Sequence, residues 1–377
     1  MDLFSPLVEE GRLHPLFKKI VSETAYQPTT SIINQWADGL LGRKQETNKF
    51  IKEFQTTFNS SLWELYLNKA FIELGYEIDY SKESPDFHLI HSSGRRVNVE
   101  AVTSNNKDNI CAEYYNNTSF HDAIGRSNED FLDQSTIKLI GKIKDKHELF
   151  IGAGCKKYPY SSLEHVKGNP FVIAIAPFDN HMSYAQNNMA INRVLYGIDP
   201  PSADGSQKNI DHIINTNNQR IDLGIFTNDT YKNVSAVIFS TTGMFGKAVV
   251  QTDFKGMVRA TRYRQLSVDT FLNTEGKHSL GHTYIKIDSE HDLFRIRFYD
   301  GANVCGADMH FYASSKHTES HLDGLHIYYN PYAEFPLNKD LFAASEITQN
   351  DYDTQSKRMI CNHNDGSLVS RQTFTIV

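Results

Sequence analysis

The chain has 377 residues, enough for one large decorated domain or two, and its 40% hydrophobic, 12% aromatic and 22% charged make-up excludes a disordered chain. A formal net charge of −7, from 38 basic and 45 acidic residues, excludes a polycation that binds nucleic acid by bulk charge, because phosphate affinity needs Lys and Arg to displace counterions. No stretch reaches the roughly 18 apolar residues of a membrane span, and the N-terminus has no signal-peptide core. Cys111, Cys155, Cys305 and Cys361 form no CxxC pair, so a reducing cytoplasm is expected.

Residues 1–47 predict an N-terminal helical segment, with PLFKKIV and SIINQWADGLL as amphipathic pieces. From Asn48 to Leu74, Ile51, Phe54, Phe58, Leu62 and Leu65 recur at helical spacing, and Gly75 stands where a C-terminal cap glycine belongs. After Gly75 the period falls to two: YEIDYS, PDFHLIHS and RRVNVEAVTS predict three strands, with Ser92, Ser93 and Gly94 turning between the last two. An Asn-rich loop then leads to a helix from about Glu129 to Leu149, and FVIAIAPF predicts a strand buried on both faces. NHMSYAQNNMAINRVLYG is expected as a helix and NVSAVIFSTTG as another buried strand, closing a domain over 48–252. Residues 253–377 are expected to form a β-rich region, with HTYIKIDS, LFRIRFYD and GLHIYYNP as short strands.

The chemistry-bearing residues cluster in the first of these domains. On the third strand Asn98, Glu100 and Val102 face one way, and Val97, Val99, Ala101 and Thr103, the expected packing face, point the other way. Pairing through the Ser-Ser-Gly turn brings Asp86 beside Glu100, and two or three acids at one sheet end suit Mg²⁺, which takes a few carboxylate oxygens and keeps several waters. Glu64 shares a helical stripe with Leu67, Phe71 and Leu74, where a carboxylate is costly unless paired or metal-bound. A bland reading stands beside each: a Ser-Pro-Asp turn for Asp86, an exposed strand residue for Glu100, a partner such as Arg95, Arg96 or Lys82 for Glu64.

The order αβββαβ, with Glu64 in WELYL, Pro85-Asp86 in SPDF and Glu100 in VNVEAV, resembles the PD-(D/E)XK nuclease superfamily, the fold of many restriction endonucleases, over roughly residues 48–180. NVSAVIFS and YYNPYAEFPL are similar to uncharacterised bacterial proteins of that kind. The resemblance implies a mixed α/β restriction-endonuclease-like core and hydrolysis of phosphodiester bonds, with Mg²⁺ or Mn²⁺ on Asp86 and Glu100 and Glu64 as an accessory ligand. It also implies a lysine two residues after the glutamate, where this chain has Val102. Lys142, four residues after Lys138 on the next helix, is the favoured replacement, with Lys107 and Lys82 as other sources. DNA is the expected partner, in bacterial restriction or phage defence; a homodimer and a defence-system partner protein are further candidates. Lys138, Lys144, Arg259 and Arg262, from two basic clusters, are the candidate nucleic-acid contacts. An inactive nucleic-acid-binding or assembly module on the same fold and an RNA-directed nuclease are the alternatives. Elsewhere, a zinc site at His317 and His321 with His310 and His326 is disfavoured by the loop-like surroundings, and STTGMFGK lacks phosphate-loop spacing and reads as a turn after a strand.

Overall fold

The computed structural model describes residues 2–42, 46–104, 128–153, 158–177, 186–200, 207–265, 278–280, 283–288, 294–300, 305–363 and 366–375. Helices α1 (Pro15–Ser22) and α2 (Pro28–Trp36) are followed by α3 (Thr47–Thr56) and α4 (Phe58–Glu73), so the single helix expected over 48–74 is broken at Thr57. Gly75 takes φ 81°, the left-handed value that ends a helix and that a β-carbon disfavours. Three strands follow, β1 (Glu77–Ile78), β2 (Phe87–Ile90) and β3 (Arg96–Thr103), then α5 (Asn128–Ile151) and β4 (Phe171–Ala176). The chain continues through α6 (Met189–Tyr196) and the short strands β5 (Ile198–Asp199), β6 (Lys208–Asn209), β7 (His212–Ile214) and β8 (Arg220–Asp222). It then runs through β9 (Ala236–Phe239) and α7 (Phe245–Val250).

Residues beyond 253 add β10 (Gly256–Gln265), β11 (His278–Leu280), β12 (Thr283–Asp288), β13 (Phe294–Asp300) and β14 (Cys305–Ala313). After them come β15 (His326–Tyr329), β16 (Thr348–Asp353), β17 (Arg358–Asn362) and β18 (Ser367–Thr375). The molecule is mixed α/β, organised on an eight-stranded sheet ordered β1-β2-β3-β4-β9-β15-β16-β17 and a six-stranded sheet ordered β11-β12-β13-β14-β10-β18. The expected division at 252/253 does not follow the sheets. β15, β16 and β17 return to the first sheet, with β15 antiparallel to β9, and only β10–β14 and β18 make the second. The N-terminal segment is likewise no separate unit: Leu3, Phe17, Ile20, Ile33 and Trp36 share one core with α3 and α4.

The centre of the large sheet is parallel, β3 on β4 and β4 on β9, and parallel strands are covered on both faces. One face carries Val97, Val99, Val172 and Ala174 under α4, whose Trp63 indole donates to the Ala174 carbonyl at 3.1 Å. The other carries Ile173, Ile175 and Val237 under Leu139 and Ile143 of α5 and Ile191 and Val194 of α6. The alternation expected on β3 holds, but the 98/100/102 side is not wet.

A buried ionic cluster ties α7 to β18 of the second sheet. Glu319, with no side-chain exposure, is met by the Lys247 ammonium from α7, by His317 Nε2 at 2.8 Å, and by Arg371 Nε of β18 at 3.0 Å. Lys247 also donates to the carbonyls of Ser320 and Asp323 at 3.0 and 2.7 Å. Burial alone would raise the Glu319 carboxyl, yet Arg371, Lys247 and His317 hold it well below the usual range. Burial pushes the Lys247 ammonium down despite Glu319. The ionised Glu319, which accepts from Lys247, His317 and Arg371, is the anchor of the cluster. The lysine of STTGMFGK is thus structural, on a helix after the expected turn.

Removing a carboxylate that balances buried cations is severe. Glu319→Ala is therefore expected to cost about 3–5 kcal/mol in denaturant unfolding, against under about 0.5 kcal/mol for Lys144→Ala on the exposed Lys144–Glu148 pair. Burial lowers the His321 imidazole to about 3 and His326 to about 4. The unfolded chain then binds those protons first, so stability present above about pH 6.5 drains away as pH falls toward 4. Unfolding curves across that range should show the loss, with a slope shallower by about 1.4 kcal/mol per pH unit in His321→Gln.

Candidate functional site

The β2–β3 hairpin sets the site. Its register pairs Phe87 with Val99 and His88 with Asn98, so the next step places Asp86 across from Glu100, on the same face. Asp86 Oδ2 accepts the backbone N–H of Ala101 at 2.7 Å, which fixes its carboxylate at the strand beside Glu100. Glu100 is 3% exposed, not the exposed strand residue of the bland reading, because α5 lies over that face. Its two oxygens differ. Oε1 accepts from Lys146 Nζ at 2.6 Å and from the Tyr160 hydroxyl at 3.4 Å, whereas Oε2 is buried with no hydrogen-bond partner among the described residues.

The lysine at Glu100 is therefore Lys146, one helical turn beyond the expected Lys142, which is half-buried on the same helix. The reason is reach: Leu139 and Ile143 dock α5 on the sheet, and the 138/142 row continues at the same four-residue step to 146, where the helix passes Glu100. Lys146 follows Lys142 at the same four-residue step as Lys142 follows Lys138, and that spacing is the signal that singles it out. Burial would lower the Lys146 ammonium, but Glu100, its hydrogen bond, Asp86 and Glu64 outweigh it and hold it above its ordinary value. All three expected acids therefore act on one cation. Their formal charge with Lys146 is −3 + 1 = −2.

Val102 sits in register with Ile175 and packs into the apolar layer under α5, so the position where the motif lysine is expected is part of the core. Glu64 is half-buried on α4, next to the Trp63 that pins that helix to β4. Among the described residues no group of three or more His, Cys, Asp and Glu side chains is placed to hold a metal by itself. Asp86 and Glu100 lie side by side on the β2–β3 hairpin, and the charge of Glu64 acts on the same Lys146. The orphaned Oε2 and a hard-oxygen donor set fit a Mg²⁺-type ion that keeps most of its waters.

The expected nucleic-acid contacts are dispersed. Lys144 is exposed and lies 3.8 Å from Glu148. Arg262 is 14% exposed and committed to Asp323 at 3.0 Å and to the Gly366 carbonyl at 3.2 Å, which makes it a structural residue rather than a free surface cation. Lys138 and Arg259 are half-buried and each has a partner. Lys107 and Cys155 lie outside the described residues. Among the described residues no zinc-type group is found, and three of the four histidines are engaged elsewhere: His317 with Tyr312 and Glu319, His321 with the Tyr66 carbonyl and Gln251, and His326 with the Leu368 carbonyl. No helix of the described residues is long and apolar enough to cross a membrane.

Sequence comparison found no matching family model, no matching curated protein and no matching solved structure.

The pair can be tested by stability before any activity is assayed. Lys146→Ala should cost about 2 kcal/mol, less than the loss from a fully buried pair because the ammonium keeps 24% exposure. Lys142→Ala should stay within about 0.5 kcal/mol. Equal losses for the two variants in urea unfolding would reverse the assignment.

Proposed function

We propose that the chain is a metal-dependent nuclease that hydrolyses phosphodiester bonds of DNA on a restriction-endonuclease-like core. The observation that carries this reading is Glu100: a buried carboxylate with Lys146 on one oxygen and no partner among the described residues on the other. The order of α4, β1, β2, β3, α5 and β4 supports it, as does the position of Glu64 on α4, Asp86 just before β2 and Glu100 on β3. Asp86, held by the Ala101 amide, and Glu100 Oε2 would hold Mg²⁺ or Mn²⁺, and Glu64 would orient a water from α4. A bound divalent cation supplies Lewis acidity toward the scissile phosphate. Lys146 stays protonated, so it acts as a positive charge and hydrogen-bond donor toward the phosphate, not as a base. It takes the part of the lysine absent at Val102, because what matters is where the ammonium lies in space.

A non-catalytic module would have no use for a buried, half-satisfied carboxylate, which costs stability. The overall charge of −7 leaves substrate contact to local groups, and Lys138 and Lys142 continue the row that ends at Lys146. Those two are the side chains we assign to phosphates flanking the scissile one.

Incubation of the purified chain with Mg²⁺ or Mn²⁺ should cut plasmid DNA. Lys146→Met should lower the rate about 10²–10³-fold while calorimetric Mn²⁺ binding survives, since it removes charge stabilisation and not a ligand. Glu100→Gln should abolish both. Absence of cleavage of duplex DNA, single-stranded DNA and RNA together with absence of Mn²⁺ binding would sink the reading; cleavage of RNA alone would replace the substrate.

A further inference from the structure

Resting on the reading of the Asp86–Glu100 edge as a metal site, we propose that Tyr160 is a positioning residue for Glu100. Its hydroxyl binds Oε1 alongside Lys146 and thereby turns Oε2 toward the ion. Tyr160 lies on a 3-10 turn, Tyr160–Ser162, between α5 and β4, and neither the strand pattern nor the motif of the resembled superfamily points to it. Three observations carry the assignment. The hydroxyl is 3.4 Å from Glu100 Oε1, against 2.6 Å for Lys146 Nζ, so both donors sit on one oxygen and the other is left unpartnered. The charge of Asp86 also acts on the Tyr160 phenol, so one side chain senses both acids. The same neighbourhood is tied a second way, by His165 Nε2 to the Ser84 carbonyl at 2.7 Å. Burial first, and then the charges of Glu100 and Asp86, push the phenol up, which keeps it a donor.

The physical consequence is a division of labour on one carboxylate. Lys146 has a second task at the phosphate, and an ammonium that turns toward substrate leaves Oε1. The Tyr160 hydroxyl is neutral and anchored on the turn, so it stays and keeps the Glu100 carboxylate in plane. Partners of this kind around a metal-ligating carboxylate are worth about 10–100-fold in metal affinity. Phenylalanine at this position keeps the ring packed against the core under α5 and removes only the hydroxyl.

The test is Mn²⁺ titration calorimetry on the full chain, with wild type, Tyr160→Phe, Lys146→Ala and the double variant, each run well below the midpoint of its own cooperative thermal melt so that every variant is folded. Tyr160→Phe should bind Mn²⁺ about tenfold more weakly. The loss should be larger on the Lys146→Ala background, because there the hydroxyl is the remaining Oε1 partner among the described residues and the two effects cannot be additive. Wild-type affinity in Tyr160→Phe overturns the assignment and leaves the metal site standing. Equal losses on both backgrounds also overturn it, because a merely structural tyrosine acts independently of Lys146. If wild type binds no Mn²⁺, the metal site itself falls and the assignment with it.

Discussion

The parallel centre of the large sheet, β3 beside β4 beside β9, must be covered on both faces, and most of the molecule follows from that requirement. Helix α4 and the N-terminal helices cover one face, with Trp63 hydrogen-bonded to β4 as the pin. Helices α5 and α6 cover the other. Any polar side chain on the α5 face of β3 is then taken out of water and needs a partner. Glu100 is such a side chain, and α5 brings the cation that makes its burial tolerable.

Two buried carboxylates in this protein differ in how fully their oxygens are satisfied. Glu319 has a partner on each oxygen: Lys247 and Arg371 on Oε1, His317 and Arg371 on Oε2. A carboxylate so saturated has nothing left to offer a ligand, and it joins α7, β18 and the segment between β14 and β15. Glu100 has two donors on Oε1 and, among the described residues, none on Oε2. An unsatisfied buried acceptor costs on the order of 1–3 kcal/mol, more when charged, which is the kind of cost a functional site carries. The same buried chemistry serves the two places differently because one is closed and the other is left open.

Much of the first domain was legible because its signals are local. The helical row through Leu62 and Leu65, the cap at Gly75, the turn at Gly94 and the apolar run at Phe171 each depend on residues close in sequence. Thr57 was missed as a break since the apolar spacing runs through it unchanged. Residues beyond 253 are β-rich as their pattern predicts, but which sheet each strand joins is not in that pattern: GLHIYYNP and HTYIKIDS look alike as strands, yet β15 joins β9 across about 90 residues while β12 joins β13. Sheet membership is a long-range pairing that strand propensity does not encode.

The sequence by itself determined the order of elements from α4 to β4, the alternation that puts Glu100 opposite Val97 and Val99, and the pairing that sets Asp86 beside Glu100. Period and turn chemistry suffice for all three. Only the tertiary structure decided which lysine meets Glu100, that Val102 belongs to the apolar layer under α5, that Tyr160 reaches Oε1, and that Arg262 is spent on Asp323. These are meetings between segments tens of residues apart, set by where α5 crosses the sheet and how far a side chain extends. A helix row offers a candidate at every turn, and packing selects the one whose ammonium arrives.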